Sequence, residues 1–180
     1  MKYLIGKIVF FFIGWRVEAS EEIKDRARNT VTIAAPHTSN FDTLLALGTF
    51  WQMRLPMKFL IKDFYTKWYF FGFFTWLGAI GVNRAQRSNL VATSAQLMKE
   101  RDINLIISPE GTRSYTEKWK SGFLRITAAA DCQIVLAGFD FPSRCIVIGE
   151  QFTPSGDNDS DIAAIKGRFL PYAGKKPDQF

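Results

Sequence analysis

Histidine is nearly absent from this chain: His37 is its one imidazole. Every metal site that needs two imidazoles is thereby excluded, zincin-type motifs included. The two cysteines, Cys132 and Cys145, are too few for a disulfide scaffold or a cysteine-rich zinc site. They read as small core residues of a reducing compartment. No G-x-G-x-x-G follows the first predicted strand, and there is no Walker A and no G-x-S-x-G, which sets aside the dinucleotide, P-loop and nucleophile-elbow readings. The uncharged stretch Trp68 to Val82 has 15 residues, short of the roughly 20 that a membrane-spanning helix needs. Internal repeats, low-complexity tracts and linkers are missing as well.

What is present is a 180-residue chain, 47% apolar, long enough to bury a core as one domain. Its net charge is +6, and the whole excess lies in residues 1–100, with 13 basic and 7 acidic side chains there. The same half holds most of the aromatics, ten of them between Phe59 and Trp76. Basic plus aromatic suggests nucleic acid or an anionic membrane surface. Nucleic-acid modules space a few aromatics among many basic residues, whereas Trp68 to Leu77 carries no charge at all. The Trp and Tyr content fits a membrane interface, with Lys58, Lys62 and Lys67 placed to meet headgroups. Tyr3 to Trp15 is apolar apart from Lys7 and reads as an interfacial anchor helix, a plain core helix being the other reading. Arg16 and Glu18 stand where a signal peptide would need a neutral cleavage region. This divides the chain into an N-terminal membrane-interface segment, 1–29, and an α/β domain, 30–180.

The pattern predicts helices over 3–16, 41–53, 64–76, 88–101, 123–130 and 157–170, with 17–29 as helix end and turn. Strands are predicted over 30–35, 57–61, 79–82, 103–107, 134–139 and 144–148. Strands alternating with helices make a single α/β domain with a largely parallel central sheet flanked by helices. Sites in such sheets form at the carboxyl ends of strands. Two polar clusters fall at such ends: Pro36 to Asp42, and Ser108 to Ser114.

His37 and Asp42 stand at i and i+5, which on a regular helix point about 140° apart. They meet if His37 lies on the loop and Asp42 on the first helical turn. The carboxylate then accepts from one ring nitrogen and leaves the other as a general base. The competing reading is structural: Ser39 to Asp42 is also a capping-box pattern, with Asp42 at its third helical position.

The run His-Thr-Ser-Asn-Phe-Asp at 37–42, followed by Pro-Glu-Gly-Thr-Arg-Ser at 109–114, resembles the glycerolipid acyltransferase family, typified by 1-acylglycerol-3-phosphate acyltransferases. His37 and Asp42 match its first motif, H-x-x-x-x-D. All six residues at 109–114 match its third. Leu77 to Arg84 is similar to its second, with Arg84 as the matching arginine. The fourth motif, an apolar strand bracketed by prolines, is met by Gln133 to Ala137 without either proline. That departure leaves acyl length and acceptor open.

The resemblance implies acyl transfer from a thioester, carried by acyl-CoA or acyl carrier protein, to a lysolipid hydroxyl, most readily that of 1-acylglycerol-3-phosphate. His37 is the implied base and Asp42 its partner. Arg84, Glu110, Gly111, Thr112, Arg113 and Lys120 are the implied acceptor-binding residues, and a backbone N–H near 111–113 is the candidate oxyanion donor. No metal or other cofactor and no nucleic acid is implied; membrane lipids are, at the cytoplasmic face, through a peripheral or monotopic attachment. Another acceptor, such as a lyso-ornithine lipid or a lysophospholipid, keeps the same chemistry. A non-enzymatic basic membrane-surface protein is the alternative from a different class.

Overall fold

The computed structural model describes residues 1–19, 23, 29–82 and 87–180. Seven strands form one sheet: β1 (Arg16–Ala19), β2 (Thr30–Ala35), β3 (Met57–Lys62), β4 (Ala79–Val82), β5 (Asn104–Ile107), β6 (Gln133–Asp140) and β7 (Cys145–Phe152), in the order β1-β7-β6-β2-β5-β3-β4. All neighbours run parallel except β6 and β7, an antiparallel hairpin turned at Phe141 to Arg144. The helices described in full are α1 (Lys2–Ile13), α2 (Phe41–Met53), α3 (Phe73–Leu77), α4 (Arg87–Arg101), α5 (Gly122–Ala130) and α6 (Asn158–Phe169). The expected α/β sheet is therefore present, and its centre is β2, buried at every position.

Both faces of β2 are covered, which is why TVTIAA reads as a short continuous run rather than a clean alternation. Val31, Ile33 and Ala35 face Met98 of α4, Phe123 and Ile126 of α5, and Ile165 and Phe169 of α6. Ala34 faces the opposite layer, with Phe10 of α1 and Leu45 and Ala46 of α2. In that layer α1 lies close on α2. A Cβ on Gly48 would fall 2.3 Å from the Phe10 ring, and one on Gly6 would fall 2.9 Å from the Gly48 carbonyl oxygen.

Two expectations are corrected. Arg16–Ala19, expected as the last residue of the first helix followed by helix end and turn, is the edge strand β1, parallel to β7. Arg16 takes its place there by donating its N–H to Arg144 O and a guanidinium N–H to Ser143 O. Residues on both sides of position 29 thus contribute to the sheet. The aromatic stretch 64–76, expected as one helix, is two 3-10 turns (Asp63–Thr66 and Trp68–Phe70) followed by the short α3. Phe71 and Gly72 break it with φ of 47° and 70°. Consecutive bulky rings lose rotamer freedom in a helix. Here they pack edge-on against one another instead, Phe64 on Tyr65 and Phe70 on Phe74.

Candidate functional site

β2 and β5 are neighbours, with Ile33 opposite Ile107. The two polar clusters that leave their carboxyl ends are therefore side by side. Pro36 to Asn40 forms the turn from β2 into α2, and α2 begins at Phe41 with Asn40 as its N-cap. Asp42 is thus the second residue of the helix, not the third, and of the two capping-box bonds only the return one is made, from Ser39 N–H to the Asp42 carboxylate. The Ser39 hydroxyl does not cap a backbone N–H; it donates to Asp42 Oδ1 at 2.6 Å.

The other oxygen of Asp42 is more heavily used. Oδ2 accepts the N–H of Thr38 and that of Ser39, both at 2.8 Å, and lies 3.2 Å from His37 Nδ1. The Asp42 side chain is 1% exposed and that of His37 21%. A carboxylate only accepts, so Nδ1 carries the proton in this pair and Nε2 holds the lone pair. No hydrogen bond occupies Nε2 among the described residues. The imidazole is therefore held by one nitrogen and open at the other, on the carboxyl end of the central strand.

The second cluster buttresses the first. Glu110 is 5% exposed, and its Oε1 accepts the backbone N–H of His37 at 2.9 Å. Its Oε2 is buried with no hydrogen-bond partner among the described residues. Burial pushes this carboxyl above its ordinary range, against the opposing pull of the His37 N–H. The Arg113 guanidinium donates to Asn40 Oδ1. Gly111 sits at φ 63°, and a Cβ there would meet Lys120 Nζ at 2.3 Å. The Lys120 side chain thus crosses Gly111, while its backbone N–H bonds Pro109 O at 2.9 Å. Gly111 N–H is itself bonded to Ser108 O at 3.1 Å. The N–H groups of Thr112 and Arg113 carry no hydrogen bond among the described residues.

The structure thus brings together His37, Asp42, Glu110, Gly111, Arg113 and Lys120. Thr112 stands on the same exposed turn and takes the Ser114 N–H at its hydroxyl, 3.3 Å. Arg84 lies outside the described residues. Both cysteines are free, and burial raises the Cys132 thiol to about 11 and pushes Cys145 upward too, which works against either serving as a thiolate nucleophile. The sequence reading missed the ligand roles of Thr38 and Ser39, although both lie inside the motif. It also missed the carboxyl-terminal tail, which packs on Thr38: Lys176 N–H donates to Thr38 Oγ1 at 3.2 Å. No local pattern marks that contact.

The family model for acyltransferases matches residues 15–138, a stretch that contains β1 to β5, α2 to α5 and both polar clusters. The crystal structure of the 1-acyl-sn-glycerophosphate (LPA) acyltransferase PlsC from Thermotoga maritima is similar with a TM-score of 0.60, over 94% of this chain and 78% of that chain, at 14% sequence identity. At that identity the likeness is one of fold. No curated protein matches the sequence.

Proposed function

Because the chain belongs to the acyltransferase family, we propose that it moves a fatty acyl group from an acyl thioester to the free hydroxyl of a lysolipid, most readily 1-acylglycerol-3-phosphate, to give phosphatidic acid. The observation that carries this reading is the His37 Nδ1–Asp42 Oδ2 contact at 3.2 Å, which occupies one ring nitrogen and leaves Nε2 for the acceptor hydroxyl. His37 Nε2 takes the hydroxyl proton as the acceptor oxygen attacks the thioester carbonyl. Asp42 keeps the other ring proton in place and stabilises the imidazolium. The tetrahedral intermediate collapses to the new ester, and the departing thiolate receives the proton from His37. No acyl-enzyme forms, and the step uses no metal or further cofactor. The Thr112 and Arg113 N–H groups are the oxyanion donors in this reading.

Lys120 and Arg113 supply positive charge on the exposed rim beside this pair, which suits a phosphate-bearing acceptor. Arg84 joins them in the reading by resemblance. The co-substrate is acyl-CoA or an acyl carrier protein, and nucleic acid has no part.

The acceptor stays in a bilayer, and the surface offers a means of reaching it. Phe11 and Phe12 are each 81% exposed, Trp68 82% and Phe71 92%. Lys2 ties α1 to the aromatic segment, donating to Trp76 O at 2.6 Å and lying over the Trp51 and Trp76 rings. Among the described residues no helix is long and apolar enough to cross a membrane. We read this surface as a peripheral or monotopic attachment through aromatic rings and flanking lysines, at the cytoplasmic face where the thioester donor is met.

The test is free-thiol release from a long-chain acyl-CoA with detergent-dispersed lysophosphatidic acid, for wild type and His37→Ala. A lipid-dependent rate that falls about 10²–10⁴-fold in the variant is expected. Equal release from both proteins would overturn the mechanism. Acylation of zwitterionic lysolipids in preference to lysophosphatidic acid would overturn the acceptor.

A further inference from the structure

The chain beyond α6 runs back across the carboxyl ends of β6 and β2. Tyr172 lays its ring on Gly138, where a Cβ would fall 2.4 Å from it. Ala173 accepts the Phe141 N–H at 2.9 Å and gives its own N–H to Asp140 Oδ1 at 3.3 Å. Gly174 is buried against Pro36 and Thr38, so close that a Cβ would come to 2.7 Å from Thr38 Oγ1 and 2.8 Å from its Cγ2. Lys176 N–H then donates to Thr38 Oγ1 at 3.2 Å. Thr38 is 2% exposed, and its own N–H is one of the bonds that hold Asp42 Oδ2, at 2.8 Å. Tail, Thr38, Asp42 and His37 are thus linked in series. The tail lies outside the stretch matched by the family, which ends at residue 138.

We propose that residues 172–176 are a positioning strap for the catalytic pair, acting through Thr38 on Asp42 and so on the His37 ring. The inference rests on the reading of His37 and Asp42 as that pair. No strap atom touches the reacting groups. Its part is to hold the His37 turn at Thr38, while Glu110 holds the His37 N–H at 2.9 Å. Water does not replace the Lys176 bond at so buried a hydroxyl, and a misplacement of about 1 Å at a catalytic group costs up to about 10²-fold in rate.

The chain's single histidine makes the test direct, because the His37 ring gives the only imidazole signals in an NMR spectrum. Gly174→Ala pushes the strap off Thr38 at a distance from the ring. Thr38→Val keeps the shape and removes the acceptor of the Lys176 N–H, and Thr38→Ser restores it. The expected result is folded Gly174→Ala and Thr38→Val proteins with displaced or broadened His37 signals. Their kcat falls roughly ten- to a hundredfold with little change in either KM, and Thr38→Ser recovers most of the rate. Lower melting temperatures with unmoved His37 signals and unchanged kcat would overturn the strap and leave the tail a fold staple. Displaced ring signals in Gly174→Ala, in a protein whose wild type acylates no lysolipid, would support the strap and overturn the functional reading instead.

Discussion

Glu110 Oε1 accepts the backbone N–H of His37 at 2.9 Å, across 73 residues of sequence. The third motif therefore supports the first through its main chain, and the acidic residue of that motif is a buttress before it is anything else. Its second oxygen is buried and unpartnered among the described residues. A carboxylate in that setting is costly to ionise.

The buttress has a pH signature. Burial raises the Glu110 pKa in the folded chain above its unfolded value. Whatever stability this group contributes is then fully present below the ordinary glutamate range, about pH 4.3, and is lost as pH rises through the raised value. Glu110→Gln removes that titration and keeps an acceptor for His37. Thermal melts of the two proteins between acid and neutral pH are expected to show the wild type losing stability more steeply with rising pH than the variant. Parallel curves would contradict it. Glu110→Ala leaves the His37 N–H without its partner, and a loss of about 1–3 kcal/mol is expected by urea denaturation.

Arg113 and Lys120 are expected to act on acceptor binding. Lys120→Ala and Arg113→Lys should raise KM for a phosphate-bearing lysolipid about tenfold, the scale of a charge-assisted hydrogen bond, with a smaller change in kcat. Steady-state kinetics with lysophosphatidic acid at fixed donor checks this. A fall confined to kcat would move both residues out of the acceptor site.

The exposed face of α1 is expected to carry vesicle affinity. Phe11 and Phe12 are each 81% exposed, and burying such a ring gains about 1.5–3 kcal/mol. Phe11→Ser with Phe12→Ser should weaken binding to anionic vesicles by at least about 10²-fold in a co-sedimentation assay while leaving the melting temperature near wild type. Undiminished binding would assign attachment elsewhere.

The α1–α2 contact tolerates no added atom. Gly48→Ala places a Cβ 2.3 Å from the Phe10 ring, and overpacking of this kind costs about 1–3 kcal/mol. Chemical denaturation should show that loss. It should shrink when Phe10→Leu is added, because the two changes share one contact.

Much of this protein was readable from its residues alone. A β-branched run before Pro36 marked β2, and an apolar run before Ser108 marked β5. The apolar periodicity marked α4, and Asp157, which caps α6 by accepting the Ser160 N–H at 2.8 Å, marked that helix's start. The motif residues brought His37 and Asp42 forward as a pair, and the structure sets them 3.2 Å apart. These signals are local: they depend on propensity, spacing and capping within a few turns of chain. The strand order that seats β2 between β6 and β5 was decided only by the tertiary structure, and with it the Glu110–His37 bond. So was the packing of the tail on Thr38, 138 residues away along the chain. The same holds for β1, a four-residue charged strand paired at an edge, and for the aromatic segment, where ring-on-ring packing overrode the helical pattern. Such contacts join groups that no periodicity relates, because they arise from which faces the folded layers leave to be covered.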